Sequence, residues 1–82
     1  MGKKLRLDII NPDRTLYGAN VNMVIVRATT GELGILAGHA PLVALLDPRP
    51  VRILLDEGEH EVSLKGGIMQ VKPEGVTILT FP

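Results

Sequence analysis

The stretch TGELGILAGHAPLV, residues 30–43, is the part of the chain around which the rest is arranged. It holds three glycines, an acid, a histidine and a proline within twelve positions. Glycine serves where the backbone needs a positive φ or where another group approaches it closely. The stretch therefore predicts a bent apolar surface loop, and such loops commonly carry function. We expect Leu33, and either Leu36 or Leu42, to be buried whatever that function is.

Outside this stretch, apolar and polar residues alternate with a period of two, which indicates half-buried β-strands. Valine, isoleucine and leucine must supply the core, since only 2% of the residues are aromatic. The clearest alternating residues are Leu5, Leu7 and Ile9 near the start, and Val51, Ile53 and Leu55 near the middle.

Turn residues and apolar runs predict the remaining boundaries. Gly18 should break a short strand at residues 15–17, and the apolar run at residues 21–27 fits a strand covered on both faces. Residues 40–47 fit a helix or a strand by spacing, but the segment is short and flanked by prolines, which favours a strand. Gly66 and Gly67 should form a bulge in a strand that continues beyond them.

The sum of these segments is about eight to ten short strands without a convincing helix. The sequence therefore predicts an all-β fold, a single small β-sandwich or flattened barrel of about ten short strands. One domain should occupy residues 1–82, since the chain is too short for two.

Charge and composition argue against several classes of function. Nine basic and nine acidic residues balance at pH 7, so the chain lacks the basic footprint of a nucleic-acid-binding protein. Without cysteine it has no disulfide and no thiolate chemistry. No apolar run is long enough for a signal core or a membrane span, so we expect a cytosolic chain without direct membrane insertion.

The residues that most often carry chemistry are few and scattered, so we expect no catalytic residue, no cofactor and no metal. The two histidines are 21 positions apart, and the only serine has no triad-like partners. The glycines match no phosphate-binding fingerprint. His60 should be a solvated residue beside a turn. His39 has two interpretations, a contact with a partner or a hydrogen bond to its own loop backbone.

What remains is a binding surface, and two hypotheses explain it. In one, the apolar loop contacts another protein. In the other, the chain is a free-standing β-barrel that binds a small polar ligand, with residues 31–39 as a lid. The second hypothesis requires a cavity lined by convergent polar groups.

Several segments, taken in order, resemble the epsilon subunit of F-type ATP synthases. The most specific is GELGIL followed by GHAPL, within the opening stretch. LDII at residues 7–10, with the Asn-Pro turn at residues 11–12, is similar to the first strand of that family. VRI at residues 51–53 is similar to its middle. KGGIMQVKP with VTIL is similar to its closing hairpin. The resemblance covers essentially the whole chain.

This resemblance implies a β-sandwich domain in a non-catalytic rotor subunit of the central stalk. Such a subunit links the gamma subunit to the c-ring and couples ion translocation to ATP synthesis. In a bacterium it would lie at the cytoplasmic face of the cell membrane as a peripheral part of F1. In most family members a helical hairpin follows this domain. It lies outside these 82 residues, so its inhibitory and ATP-binding roles are not carried over.

The resemblance also implies contacts for particular residues. Glu32 would face the polar loops of the c-ring. The loop that follows would contact the gamma subunit through His39, Ala40, Pro41 and Leu42. Asn11 and Ala44 would lie at the edge of that contact.

Overall fold

The computed structural model describes residues 3–82, so the first two residues of the predicted domain lie outside the described part. Within that part the chain forms nine strands and no helix. This confirms the all-β prediction. The strands are β1 Leu5–Ile10, β2 Thr15–Val21, β3 Met23–Ala28, β4 Gly31–Ile35, β5 Leu42–Leu46, β6 Val51–Leu55, β7 Gly58–Val62, β8 Gly67–Lys72 and β9 Gly75–Thr80.

Backbone pairing arranges the strands as two layers. Pairing is continuous through all nine strands, in the order β2-β1-β9-β8-β5-β3-β6-β7 with β4 paired to β3 beside this path. We call its β2-β1-β9-β8-β5 part the first sheet and its β4-β3-β6-β7 part the second sheet. β1 runs parallel to β9, whereas the other pairs are antiparallel. The two parts meet where β3 joins β5. Ala28 pairs there with Leu46, and the backbone N–H groups of Thr29 and Asp47 donate to the carbonyl oxygens of Leu45 and Arg27.

The core fills the space between the layers with inward-facing residues from every strand except β7, together with Leu64 from the segment between β7 and β8. It confirms the alternation at Leu5, Leu7, Ile9, Val51 and Ile53, all of which are buried. Every member is aliphatic or methionine, as the low aromatic content requires. The core residues are Leu5, Leu7, Ile9, Val21, Val24, Val26, Ala28, Ile35, Leu46, Val51, Ile53, Leu64, Met69, Val71, Val76 and Ile78.

Gly18 does not end a strand, contrary to the sequence-based expectation, because β2 continues through it to Val21. Gly18 pairs with Asp8 of β1. A Cβ at this position would lie 2.8 Å from Nη2 of Arg6. The glycine therefore leaves room for the Arg6 guanidinium, which forms an ion pair with Asp8.

Two further expectations about strands were wrong, and one was confirmed. The apolar run near residue 24 is not covered on both faces, because Ile25 is half-buried and Arg27 is exposed. Gly66 and Gly67 do not form a bulge within one strand. They have positive φ and lie where the chain leaves β7 and enters β8. The ambiguous segment near residue 44 is a strand, as predicted.

Side chains link the two ends of the strand order, β2 and β7, and so nearly close the sandwich into a barrel. The rings of Tyr17 and His60 stack with centroids 5.6 Å apart and planes at 26°. His60 is exposed as expected, but it also packs across this gap. Nearby, the Asp56 carboxylate accepts hydrogen bonds from Lys4 and Asn22, each at 2.8 Å.

Gly67→Ala should destabilise the domain more than Gly31→Ala. The φ angles of Gly67 and Gly31 are +146° and +135°, so both substitutions strain the backbone. Only at Gly67 would the new Cβ also overlap the carbonyl oxygen of Leu79, whereas at Gly31 it meets nothing within 4 Å. In urea unfolding we expect a loss of about 1–2 kcal/mol for Gly31→Ala and a further 1–3 kcal/mol, roughly, for Gly67→Ala. Equal losses would contradict this account.

Acid should remove the contribution of Asp56 to stability. The hydrogen bonds from Lys4 and Asn22 hold the pKa of Asp56 below its ordinary value of 3.8. A carboxyl group with a lowered folded-state pKa stabilises the fold above its unfolded-state pKa, and that contribution is lost as the pH falls through the folded-state value. Wild type should therefore exceed Asp56→Asn in free energy of unfolding at pH 7, and the two should converge below about pH 4.

The matched control is Glu57→Gln, which neutralises the adjacent exposed carboxyl group. Its free energy of unfolding should stay near that of wild type at both pH values. Because Asp56 is exposed, added salt should reduce the difference between wild type and Asp56→Asn at pH 7. A difference that is independent of pH would show that packing, and not charge, produces it.

Candidate functional site

The outer face of the first sheet carries a row of exposed apolar side chains. The register places Leu45 beside Ile68, Ile68 beside Leu79, and Leu79 beside Ile10, so the row crosses four strands. Leu45, Ile68 and Leu79 are 58%, 44% and 51% exposed, and Ile10 is half-buried. We call these four residues the apolar row. Large apolar side chains exposed side by side on a small domain mark a surface for association.

The apolar row continues into neighbouring exposed residues. Val43 and Phe81 are 67% and 62% exposed and lie on the strand and the tail beside it. A groove of about 400 Å³ runs along one side of the row. Its lining is Ile10, Asn11, Pro12, Gly67, Ile68, Leu79, Thr80 and Phe81.

The other end of the same sheet face is polar. Arg6 and Asp8 form an ion pair there at 2.9 Å, and the hydrogen bonds to Asp8 raise the pKa of Arg6 further above its ordinary range. Gln70 and Lys72 lie next to this pair. The face thus changes from apolar to charged along the strand direction, which gives a partner one orientation of best fit.

The predicted contact residues frame this face. Asn11 lines the apolar groove at one end. At the other end, the loop after β4 is held against the β8–β9 turn, because the Gly38 backbone N–H donates to the Pro73 carbonyl oxygen at 3.0 Å. Ala40 and Pro41 follow that loop and are exposed. The structure therefore brings Asn11 and residues 38–41 to opposite ends of one surface.

His39 makes a hydrogen bond within its own loop. Its Nδ1 lies 2.7 Å from the carbonyl oxygen of Ala40, where an N–H on that nitrogen donates to the oxygen. The ring is half-exposed. The loop-capping interpretation of His39 is therefore seen directly, and Nε2 is the ring atom left to meet a partner.

Leu42 and Ala44 point toward the core, where both are half-buried. The outward positions of β5 are their neighbours Val43 and Leu45.

The burial of the apolar residues in the opening stretch also differs from the expectation. Leu33 and Leu42 are half-buried and Leu36 is 56% exposed, whereas Ile35 is fully buried. Strand alternation explains this, because β4 sends its odd-numbered residues inward.

Glu32 lies on the outer face of the second sheet, away from the apolar row. It is exposed and pairs in register with Arg27 of β3. A second groove, of about 200 Å³, opens beside it. We call this the charged groove, and its lining is Ile25, Val26, Arg27, Glu32, Arg49, Pro50, Arg52 and Glu61.

Residues 31–39, the lid of the small-ligand hypothesis, are anchored to the sheet. They form strand β4, which pairs with β3 along its length, and a turn held by backbone hydrogen bonds. Across residues 3–82, no three His, Cys, Asp or Glu side chains are grouped to hold a metal ion, and no helix is long and apolar enough to cross a membrane.

The apolar row was missed by sequence reasoning, although the sequence contains a signal for it. The strands β5, β8 and β9 have apolar residues at both odd and even positions, as in LVALL and VTILT. A strand with one face in the core and one in water would alternate instead. Only the register shows that the surplus residues of adjacent strands align into one row.

Comparisons with known proteins identify relatives of this chain. The family model described as ATP synthase, Delta/Epsilon chain, beta-sandwich domain matches residues 4–81. The ATP synthase epsilon chain of Acinetobacter baumannii is 45% identical over 76 residues, which are 92% of this chain and 55% of the relative. The epsilon chain of Bacillus licheniformis is 48% identical over 77 residues, 94% of this chain and 59% of the relative. The chain thus spans little more than half the length of these relatives.

Solved structures show the same fold. A chain of the Euglena gracilis mitochondrial ATP synthase, solved by cryo-EM as OSCP/F1/c-ring, superposes with a TM-score of 0.87 at 25% identity over 98% of this chain and 52% of that one. A chain from the central stalk/c-ring of the Tetrahymena thermophila mitochondrial ATP synthase gives 0.80 at 17% identity over 98% and 65%. With the family model over almost the whole chain, these matches show that the chain belongs to the delta/epsilon family of ATP synthase subunits and corresponds to its β-sandwich domain.

Proposed function

We propose that this chain acts in the central stalk of a rotary ATP synthase as a non-catalytic subunit that links the gamma subunit to the c-ring. Through this link it would couple ion translocation to ATP synthesis, while the chemistry takes place on other chains. The observation that carries the proposal is the apolar row, which leaves one face of a family member open for a protein partner.

The gamma subunit is the partner proposed for the outer face of the first sheet. The apolar row would supply most of the affinity, since buried apolar side chains near the centre of an interface dominate binding. Asn11, His39, Ala40 and Pro41 lie at the two ends of this face and would form its rim. Leu42 and Ala44 would contribute by holding β5 on the core, so that Val43 and Leu45 meet the partner.

The c-ring is the partner proposed for the outer face of the second sheet, through Glu32. This residue is exposed on the opposite layer from the apolar row, so one domain could contact both partners at once. The chain would then lie at the membrane surface as a peripheral part of F1, on the cytoplasmic face in a bacterium. It would need no cofactor, metal or nucleic acid for this role.

Leu45→Glu should weaken binding to the gamma subunit more than Leu36→Glu. The two leucines are almost equally exposed, at 58% and 56%, but only Leu45 belongs to the apolar row. Placing a charge within a buried apolar interface costs about 2 kcal/mol or more, which is roughly a thirtyfold rise in Kd. Calorimetric titration with the purified gamma subunit measures this. Equal Kd values for both variants would reject the assignment of this face.

His39→Asp should raise the same Kd less than Leu45→Glu does, because a residue at the rim of an interface contributes less than one in its buried apolar part. We expect an increase of about threefold to tenfold. Wild-type affinity in both His39→Asp and Leu45→Glu would exclude gamma as the partner of this surface. A thermal shift of several degrees with nucleotides or sugars would instead support the small-ligand hypothesis.

A further inference from the structure

We propose that Arg27 and Arg49 extend the contact of Glu32, so that the charged groove binds a polar loop of the c-ring through charges of both signs. This inference rests on the proposed function, which assigns only Glu32 to that partner. It adds two basic contact residues and specifies the chemistry of the loop that would fit.

The side chains of the groove differ in whether another group already binds them. Arg52 is committed, because its Nε and Nη2 donate to the two carboxylate oxygens of Glu59 at 2.8 and 3.1 Å. This pairing also holds the pKa of Glu59 below its ordinary value. Arg27, Arg49, Glu32 and Glu61 form no ion pair within residues 3–82. Two positive and two negative groups in the groove thus have no ion-pair partner among the described residues. The charges of Glu32 and Glu61 act on Arg52 through space, adding to the rise in its pKa that the hydrogen bonds with Glu59 cause.

The strand register fixes the positions of Arg27, Glu32 and Glu61. Arg27 lies directly opposite Glu32, and Arg52 lies opposite Glu61, two residues along the sheet face. Arg49 lies on the turn that leads into β6, beside the same groove. All of them are exposed. Opposite charges at paired positions on neighbouring strands can bind each other, but Arg27 and Glu32 form no ion pair with each other.

The balance of charge favours a protein loop over a simple anion. A phosphate or an anionic lipid headgroup would be attracted by Arg27 and Arg49 but repelled by Glu32 and Glu61 in the same small groove. A loop that presents a carboxylate or carbonyl oxygens to the arginines and a basic or amide group to the glutamates satisfies all four. Such complementarity of both signs fixes the register of two partners more than it adds affinity.

Site-directed photocrosslinking in the assembled ATP synthase tests this placement. The chain has no cysteine, so each single-cysteine variant can be labelled at one position with a maleimide photocrosslinker. The variants are Arg49→Cys, Glu32→Cys and, as a control, Lys65→Cys, which is exposed and outside the groove. We expect adducts with the c subunit from Arg49→Cys and Glu32→Cys and none from Lys65→Cys.

The outcomes separate this inference from the proposed function. If Glu32→Cys reacts with the c subunit but Arg49→Cys does not, the inference fails and the proposed orientation stands. If neither reacts with the c subunit in an assembled complex, both are overturned. An Arg49→Cys adduct with lipid or with gamma alone would also overturn the inference.

Charge reversal provides an independent measurement. The double variant Arg27→Glu/Arg49→Glu should lower retention of the subunit on membranes containing the c-ring by about threefold to tenfold at low salt, and high salt should reduce the difference. Lys65→Glu reverses one exposed charge outside the groove and should retain wild-type behaviour. Equal retention by the double variant and Lys65→Glu would contradict the role of the two arginines.

Discussion

The fold depends on the burial of aliphatic side chains between two layers that only a few backbone hydrogen bonds connect. Among the described residues, β3 and β5 are joined at Ala28 and Leu46 and by the two backbone hydrogen bonds beside them, and the Gly38 N–H donates to the Pro73 carbonyl oxygen between the layers. The layers are therefore held together by the aliphatic core and by contacts at the open edge, such as the stack of Tyr17 on His60. A chain of 82 residues buries only about 60–65% of its unfolded surface, so each core position matters.

This construction explains why the domain has two usable faces. Because the inner face of each sheet is fully occupied by the core, the outer faces are free to differ. The first sheet presents the apolar row at one end and the ion pair of Arg6 with Asp8 at the other. The second sheet presents the charged groove around Glu32. A thin two-layer domain can in this way present an apolar surface on one side and a charged surface on the other.

The same geometry explains the glycines in the opening stretch, residues 30–43. Gly31 and Gly34 lie in β4, which pairs with β3 as an ordinary strand of the second sheet. Gly31 and Gly38 provide the positive φ angles that start the strand and turn the chain toward the first sheet. Because that turn carries the chain between layers, Glu32 lies on one sheet and His39 beside the other.

The sequence by itself determined the all-β class, the inward residues of β1 and β6, and the specific motif of the family, because strand periodicity and short motifs are local properties. The tertiary structure decided the rest. It carried β2 through Gly18, where the missing Cβ makes room for Arg6, and it turned Leu42 and Ala44 inward. It also aligned Leu45, Ile68, Leu79 and Ile10 across four strands. These features depend on register between segments distant in sequence, and no local pattern encodes that register.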